Sequence, residues 1–328
     1  MLESLGEYKI LERMGEGGIG DVYRARDTRL GRTVAIKLAR ADIADDPKRR
    51  SDWLNDARAA ARLSHPNIAG LVEVADFENP PYLVFEFAAG DLLSAVVGGR
   101  PLNPRRALDY AIQLADALAD IHAQGIVHGD LKPDNIVITS KGAAKLLDVG
   151  LSRWTAGGEA RRRAAQKADT LDAATAARTV AYMSPEQALG GAVDHRTDIF
   201  SLGTVLVEML TGHPPFPSEI PAAIPIHIMG SKVPGPSAAD QTIPRELDRV
   251  VAKMLAKSLD ARYSSAALMA ADLRQVAGII GVRSETAEMR DSMPRMQHAE
   301  RRSMLGWLVA LLILGVLGGL IWAAARMP

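Results

Sequence analysis

One stretch, HGDLKPDNIVITSKGAAKLLDVG from His128 to Gly150, constrains this chain more than any other. Ile136 to Ile138 is a β-branched run, Ser140-Lys141-Gly142 is turn-like, and Ala144 to Leu147 is a second apolar run that ends in an acid and a glycine. The pattern predicts a β-hairpin with polar groups at the ends of its strands. Alternation along a strand would put Asn135 and Val137 on one face, and likewise Leu146 and Asp148. Two carboxylates and an amide oxygen suit a hard divalent cation, Mg²⁺ or in its place Mn²⁺, held by Asn135 and Asp148. Asp130 is then free to orient a hydroxyl. Taken singly, each of the three fits a turn-capping residue equally well.

Upstream, Gly15 to Val22 reads GEGGIGDV, and a glycine-rich turn of this kind lets backbone N–H groups approach phosphates. A plain Gly-rich hairpin has the same pattern. VAIK, Val34 to Lys37, follows as a strand on which Ala35 and Lys37 share one face while Val34 and Ile36 share the other. A helix is predicted over Ser51 to Leu63, with Ser51 as its N-cap. Trp53, Asp56, Ala60 and Leu63 fall on one side of it, so a carboxylate sits on an apolar stripe and needs a cation. Tyr82 to Phe87 reads as a buried strand.

In this order, GxGxxGxV, VAIK, the HGDLKPDN loop and DVG resemble the motifs of eukaryotic-like protein kinases, with Gly129 in place of an arginine and Val149 in place of a phenylalanine. The resemblance covers about residues 8–276 and implies an α+β, two-lobed protein-kinase-like fold, with a β-rich N-lobe over about 8–87 and a helical C-lobe over about 92–276. It implies ATP and Mg²⁺ as cofactors. ATP would be bound by Met14, Gly15, Gly17, Gly20, Val22, Ala35, Lys37, Glu86, Ala88 and Val137, with Asp56 as the partner of Lys37. It implies Asp130 as the residue that positions the acceptor hydroxyl and Lys132 as the cation on the transferring phosphoryl. TVAYMSPE, Thr179 to Glu186, resembles the peptide-docking end of an activation segment, with Thr179 contacting the catalytic acid and Glu186 pairing with Arg262. Through Lys132 and Thr179, the resemblance also implies protein substrates with Ser or Thr acceptors. The missing arginine at Gly129 implies weakened control by loop phosphorylation, at Thr170 or Thr175.

Between these motifs, Asn103 and Pro104 open a helix that Gly125 stops, and Asp198 to Leu210 reads as a helix buried all round. Leu151 to Arg178, rich in Ala, Arg and Thr, reads as a long mobile loop. The absence of cysteine excludes disulfides and thiolate metal sites, and Lys plus Arg equal Asp plus Glu at 39 each, so no overall field favours nucleic acid. No cleavable signal is expected at the N-terminus.

Residues 304–325 carry no charge over 22 positions, or ~33 Å as a helix, against ~30 Å of bilayer hydrocarbon. A membrane-spanning helix is predicted there, after a polar juxtamembrane linker at 277–303 and before a short external tail at 326–328. Arg301 and Arg302 precede the span and only Arg326 follows it, which orients the kinase domain to the cytoplasmic side of the plasma membrane. Gly315 and Gly319 would allow homodimer packing, or are ordinary membrane glycines. The expected activity is that of a membrane-anchored serine/threonine protein kinase, with autophosphorylation. The alternatives are a membrane-bound pseudokinase scaffold, suggested by Asp56, Gly129 and Val149, and a small-molecule phosphotransferase, suggested by the HGD form.

Overall fold

Three strands near the N-terminus set the frame: β2 (Tyr8–Glu16), β3 (Asp21–Asp27) and β4 (Thr33–Leu38), preceded by the two-residue β1 (Ser4–Leu5). This computed structural model describes residues 2–16, 19–154, 180–216 and 223–292, with the backbone alone at 16 and 282–292. With β5 (Leu71–Ala75) and β6 (Tyr82–Glu86), the strands form an antiparallel sheet in the order β1-β2-β3-β4-β6-β5. Strand alternation decides its faces. Val34 and Ile36 are fully buried with Ala25 and Val84 on one side, whereas Ala35 packs with Phe85, Trp53 and Ala57 on the other.

Two helices cross that second face, α1 (Ala41–Ala44) and α2 (Pro47–Ala60). The start of α2 corrects the sequence expectation: Asp46, not Ser51, is the N-cap, accepting from Lys48 N and Arg49 N at 2.9 and 3.0 Å. An Asp followed by Pro at the first helical position is the stronger start signal, because proline lacks only a donor that the first turn cannot use.

The helical lobe begins with β7 (Gly90–Leu92), α3 (Leu93–Val97) and α4 (Pro104–Ala123), the last capped by Asn103 as expected. The predicted hairpin forms from β8 (Ile136–Thr139) and β9 (Ala144–Leu146), and β7 joins it in the order β7-β8-β9. Beyond lie α5 (Pro185–Ala188), α6 (Arg196–Thr211), α7 (Ile224–Gly230), α8 (Arg245–Met254) and α9 (Ala266–Ser292). Helix α6 is buried along nearly its whole length and ends at Gly212, packing against α4 and α8 at the centre of the lobe. The chain is thus a two-lobed fold with a sheet-rich N-lobe and a helical C-lobe, within a compact unit of residues 1–281.

Helix α9 runs on through Ser292, into the segment expected as a linker. Among the described residues no helix is long and apolar enough to cross a membrane. The predicted span at 304–325 and tail at 326–328 lie outside the described residues, as do Gly17, Thr179 and most of the predicted mobile loop. The first four residues of that loop differ from expectation. Ser152–Trp154 is a 3₁₀ turn, because Leu151 and Trp154 bury against Trp53, Leu54 and Ala57.

Candidate active site

The catalytic-loop stretch owes its shape to one buried acid. Asp198, at the start of α6 and wholly inaccessible, accepts His128 N at 2.8 Å, Gly129 N at 2.7 Å and lies 2.8 Å from His122 Nε2. The ring of His128, also fully buried, meets Leu147 O through Nε2 at 3.0 Å. Backbone and ring are thereby fixed from two elements. Gly129 stands at φ +71, and a Cβ there would lie 2.6 Å from Ser152 Oγ, so this backbone has a conformational reason for glycine where the resemblance has arginine. Gln187 Nε2 donates to its carbonyl at 2.8 Å.

On that fixed loop three predicted residues converge. Lys132 Nζ lies 3.2 and 3.1 Å from the two oxygens of Asp130, and Asn135 Nδ2 donates to Asp130 O at 2.8 Å and to Oδ2 at 3.3 Å. With its amide nitrogen so committed, Asn135 keeps its oxygen as a ligand. Asn135 ends the Pro133–Asn135 3₁₀ turn rather than starting a strand, and its carbonyl accepts Leu147 N at 2.9 Å, which brings it beside Asp148. Strand alternation does not reach Asp148 either. Strand β9 stops at Leu146, and Asp148 has φ +58, the single non-glycine residue with positive φ among those described. Such backbone is uncommon and clusters at functional sites.

Asp148 pairs with Lys37, whose ammonium lies 5.6 Å from the centre of the Phe85 ring. The expected partner is engaged elsewhere: Asp56 accepts Trp154 Nε1 at 2.7 Å and forms an ion pair with Arg153. The Lys37–Asp56 pair is therefore absent from this structure. The shorter aspartate is satisfied by the turn that follows Asp148, and Lys37 by Asp148 itself.

The remaining predicted residues line up along the N-lobe strands and the hairpin. Val22 sits opposite Lys37 and Gly15 opposite Val22 in the sheet register, and Ala35 opposite Phe85. Met14 is exposed on β2. At Gly20 a Cβ would lie 2.1 Å from Leu38 O, so packing against β4 already requires glycine there. Glu86, at the end of β6, donates its N–H to Gly70 O at 2.8 Å and pairs with Lys145 at 2.7 Å, while Ala88 is half-buried between the two sheets. Val137, though buried, stands apart from the C-lobe core that takes Ile136 and Ile138.

The oxygen-only set of Asn135 and Asp148 fits a hard divalent cation that keeps its other positions for phosphate and water. At the far end of the segment, Glu186 and Arg262 meet as expected, in two hydrogen bonds of 2.9 and 3.0 Å, with the Arg262 side chain fully buried.

A protein kinase domain matches residues 8–273. The chain belongs to the protein kinase domain family. It is 39% identical over 304 residues to the serine/threonine-protein kinase PknB of Mycolicibacterium smegmatis and 38% identical to that of Mycobacterium tuberculosis, in each case over 91% of this chain and 46% of the relative. The chain spans about half the length of these curated relatives. Among solved structures, the PknI kinase domain of M. tuberculosis superposes with a TM-score of 0.65 at 23% identity, over 85% of this chain and 99% of that one, a likeness of fold.

Proposed function

We propose that this chain is a membrane-anchored protein serine/threonine kinase that transfers the γ-phosphate of ATP to Ser or Thr hydroxyls of proteins and autophosphorylates. The observation that carries the reading is the arrangement of Asp130, Lys132 and Asn135 on a loop held from beneath by Asp198. ATP with Mg²⁺ supplies the phosphoryl group and neutralises its charge. Asp130 orients the acceptor hydroxyl for in-line attack, Lys132 stands beside it as the cation for the transferring group, and Lys37 holds the α- and β-phosphates. Asn135 Oδ1 and Asp148 would hold the metal ion, which would offset charge on the phosphates, and Thr179 would have the role that the resemblance gives it, as a contact of the catalytic acid. Catalysis of this kind is mostly positioning and charge stabilisation. The names of the PknB relatives support Ser/Thr acceptors.

Residues 304–325 supply the anchor in this reading, with the kinase domain cytoplasmic and Gly315 and Gly319 available for pairing of two copies. Gly129 removes the arginine that would read a phosphate on the activation segment. The Thr170→Ala/Thr175→Ala double variant should accordingly keep most of its activity.

The test is incubation of the full chain with Mg²⁺ and labelled ATP beside Asp130→Asn, followed by phosphoamino-acid analysis. Label on Ser or Thr in the first sample alone supports the reading. The pseudokinase scaffold has one observation in its favour, the engagement of Asp56 with Arg153 and Trp154 instead of Lys37. Nucleotide binding without transfer, in the full chain and with generic protein substrates present, would favour it.

A further inference from the structure

A second concavity lies in the helical lobe, lined by none of the residues assigned above. It is a groove of about 490 Å³ between the chain that leaves α7, Met229 to Gly235, and the face of α8 carrying Asp248, Val251 and Ala252, continued by Leu255 and Ala256. The helical wall is largely apolar, with Val251 and Leu255 buried and Val233 packed against the same core. The opposite wall is extended backbone. Ser231 has ψ 134° and Gly235 ψ 145°, and Pro234 disfavours helical backbone at Val233 as well. Ser231 N donates to His227 O, and Gly235 O accepts from Ala238 N. The N–H groups of Lys232, Val233 and Gly235 and the carbonyls of Ser231 to Pro234 make no hydrogen bond among the described residues.

The rim of the groove is positive. Asp248, the carboxylate of the lining, is committed to Ser237, accepting from its N at 2.9 Å and from its Oγ. Lys232 is an exposed cation on the extended wall. Residues three and four apart share a helix face, so Arg245 and Arg249 fall on the stripe of α8 that runs into Ala252 of the lining. Both arginines are exposed, and neither they nor Lys232 pair with a carboxylate among the described residues. Glu246 shares its stripe with Val250 and Lys253 instead. Lys257 adds no charge to the groove, because its ammonium is buried on the Phe216 and Phe200 rings.

We propose that this groove docks an extended acidic segment of a partner protein, with apolar side chains against Val251 and Leu255, backbone pairing along Lys232 to Gly235, and carboxylates towards Lys232, Arg245 and Arg249. A strand-like segment meets all three demands together. Its side chains alternate between two faces, and its edge carries the N–H and C=O groups that complete an unpaired extended chain. Charge then selects the partner more than it tightens the contact. The docking uses none of Lys37, Asp130, Asn135 and Asp148, so its test and that of the proposed activity fail independently.

The test uses the full chain in phosphatidylcholine nanodiscs, without nucleotide, labelled with ¹³C at its methionine methyl groups. The probes are the end-blocked pentapeptides Glu-Val-Glu-Val-Glu, Gln-Val-Gln-Val-Gln and Lys-Val-Lys-Val-Lys, which share an apolar face, carry no acceptor hydroxyl and differ in charge. Met229 lines the groove and is the reporter. The expected result is a saturable shift of its resonance with the acidic peptide, at least about 10-fold weaker binding of the neutral one and no shift with the basic one. Met14, on β2, and the core residue Met209 should stay in place. Lys232→Glu reverses a charge on the rim and Ala252→Trp fills the groove from an exposed position, and each should cut the affinity for the acidic peptide at least about 5-fold. An unmoved Met229, equal affinities for the three peptides, or undiminished affinity in either variant would overturn the proposal. So would a Met229 resonance that moves when the chain alone is concentrated, which would put a second copy in the groove. The peptide series on the native chain decides the matter even where a variant does not fold.

Discussion

The two halves of the candidate site are held by different kinds of force. Asp130 sits on a loop whose backbone N–H groups are fixed by a fully buried carboxylate and whose histidine ring is locked against Leu147. In the other half the contacts are side-chain ion pairs, Lys37 with Asp148 at 12% and 14% side-chain exposure and, separately, Asp56 with Arg153, where Asp56 keeps 28% of its side-chain surface and Arg153 54%. Buried backbone bonds to a charged acceptor have no cheap alternative, whereas partly solvated ion pairs contribute little and exchange readily. The comparison predicts one rigid half and one that can change partners.

The largest effects should fall on the rigid half. Asp130→Asn is expected to lower transfer by ~10²–10⁴-fold, measured as initial rate with a generic protein substrate, while leaving the fold intact. Asp198→Ala should do both kinds of damage. It removes the acceptor of two buried backbone donors and the partner of His122, so a loss of ~3–5 kcal/mol is expected in urea denaturation, with transfer falling in the surviving folded fraction. An Asp198→Ala chain with native stability would show the loop to be held by something else.

Glu186 provides the next test, through pH. Burial alone would raise its carboxyl, but hydrogen bonds from Arg262 and Thr197 outweigh that and hold it below the ordinary glutamate range. Its folded value is thus lower than its unfolded one, so near and below the unfolded value of ~4.3 the unfolded chain binds more protons. The contribution is complete above that value and is lost as pH falls through the folded one. Urea denaturation from roughly pH 6 down to pH 3 should show the native chain lead Glu186→Gln by about 1–3 kcal/mol at the upper end and lose that lead at the lower. A lead that widened on acidification would reverse the argument.

What could be read in the sequence follows the same division. The hairpin, the Asn103 cap, the buried α6 and the Glu186–Arg262 pair are set by local pattern or by motifs lying in one rigid lobe, and they appear where the residues put them. The role of Asp198 was missed, although a signal existed: a carboxylate leading a helix that is apolar all round must find buried donors. The left-handed backbone of Asp148 carries no periodic signature, since alternation describes strands and Asp148 lies past the end of one. The partner of Asp56 was out of reach for another reason. It depends on Trp154, in a stretch whose Ala, Arg and Thr content masks a single tryptophan that buries against α2.

That misplaced partner yields the smallest effect and the sharpest test of the comparison. Two double-mutant cycles, Asp56→Ala with Trp154→Phe and Asp56→Ala with Lys37→Met, can be run on the nucleotide-free chain by urea denaturation. Trp154→Phe removes the indole N–H that reaches Asp56 together with part of a buried ring that Arg49 and Arg153 stack on, and the cycle cancels whatever part of that loss does not involve Asp56. The first cycle should give a coupling of about 1 kcal/mol, the scale of a hydrogen bond to a partly exposed charge, and the second a value within ~0.3 kcal/mol of zero. Repeating both with nucleotide and Mg²⁺ then asks whether the solvated half changes partners. Coupling that moves from Trp154 to Lys37 would mean that Asp148 has released the lysine and that α2 can bring its short acid within reach. Coupling that stays on Trp154 would make Asp56 a tether between α2 and the turn after Asp148, with Lys37 working without it.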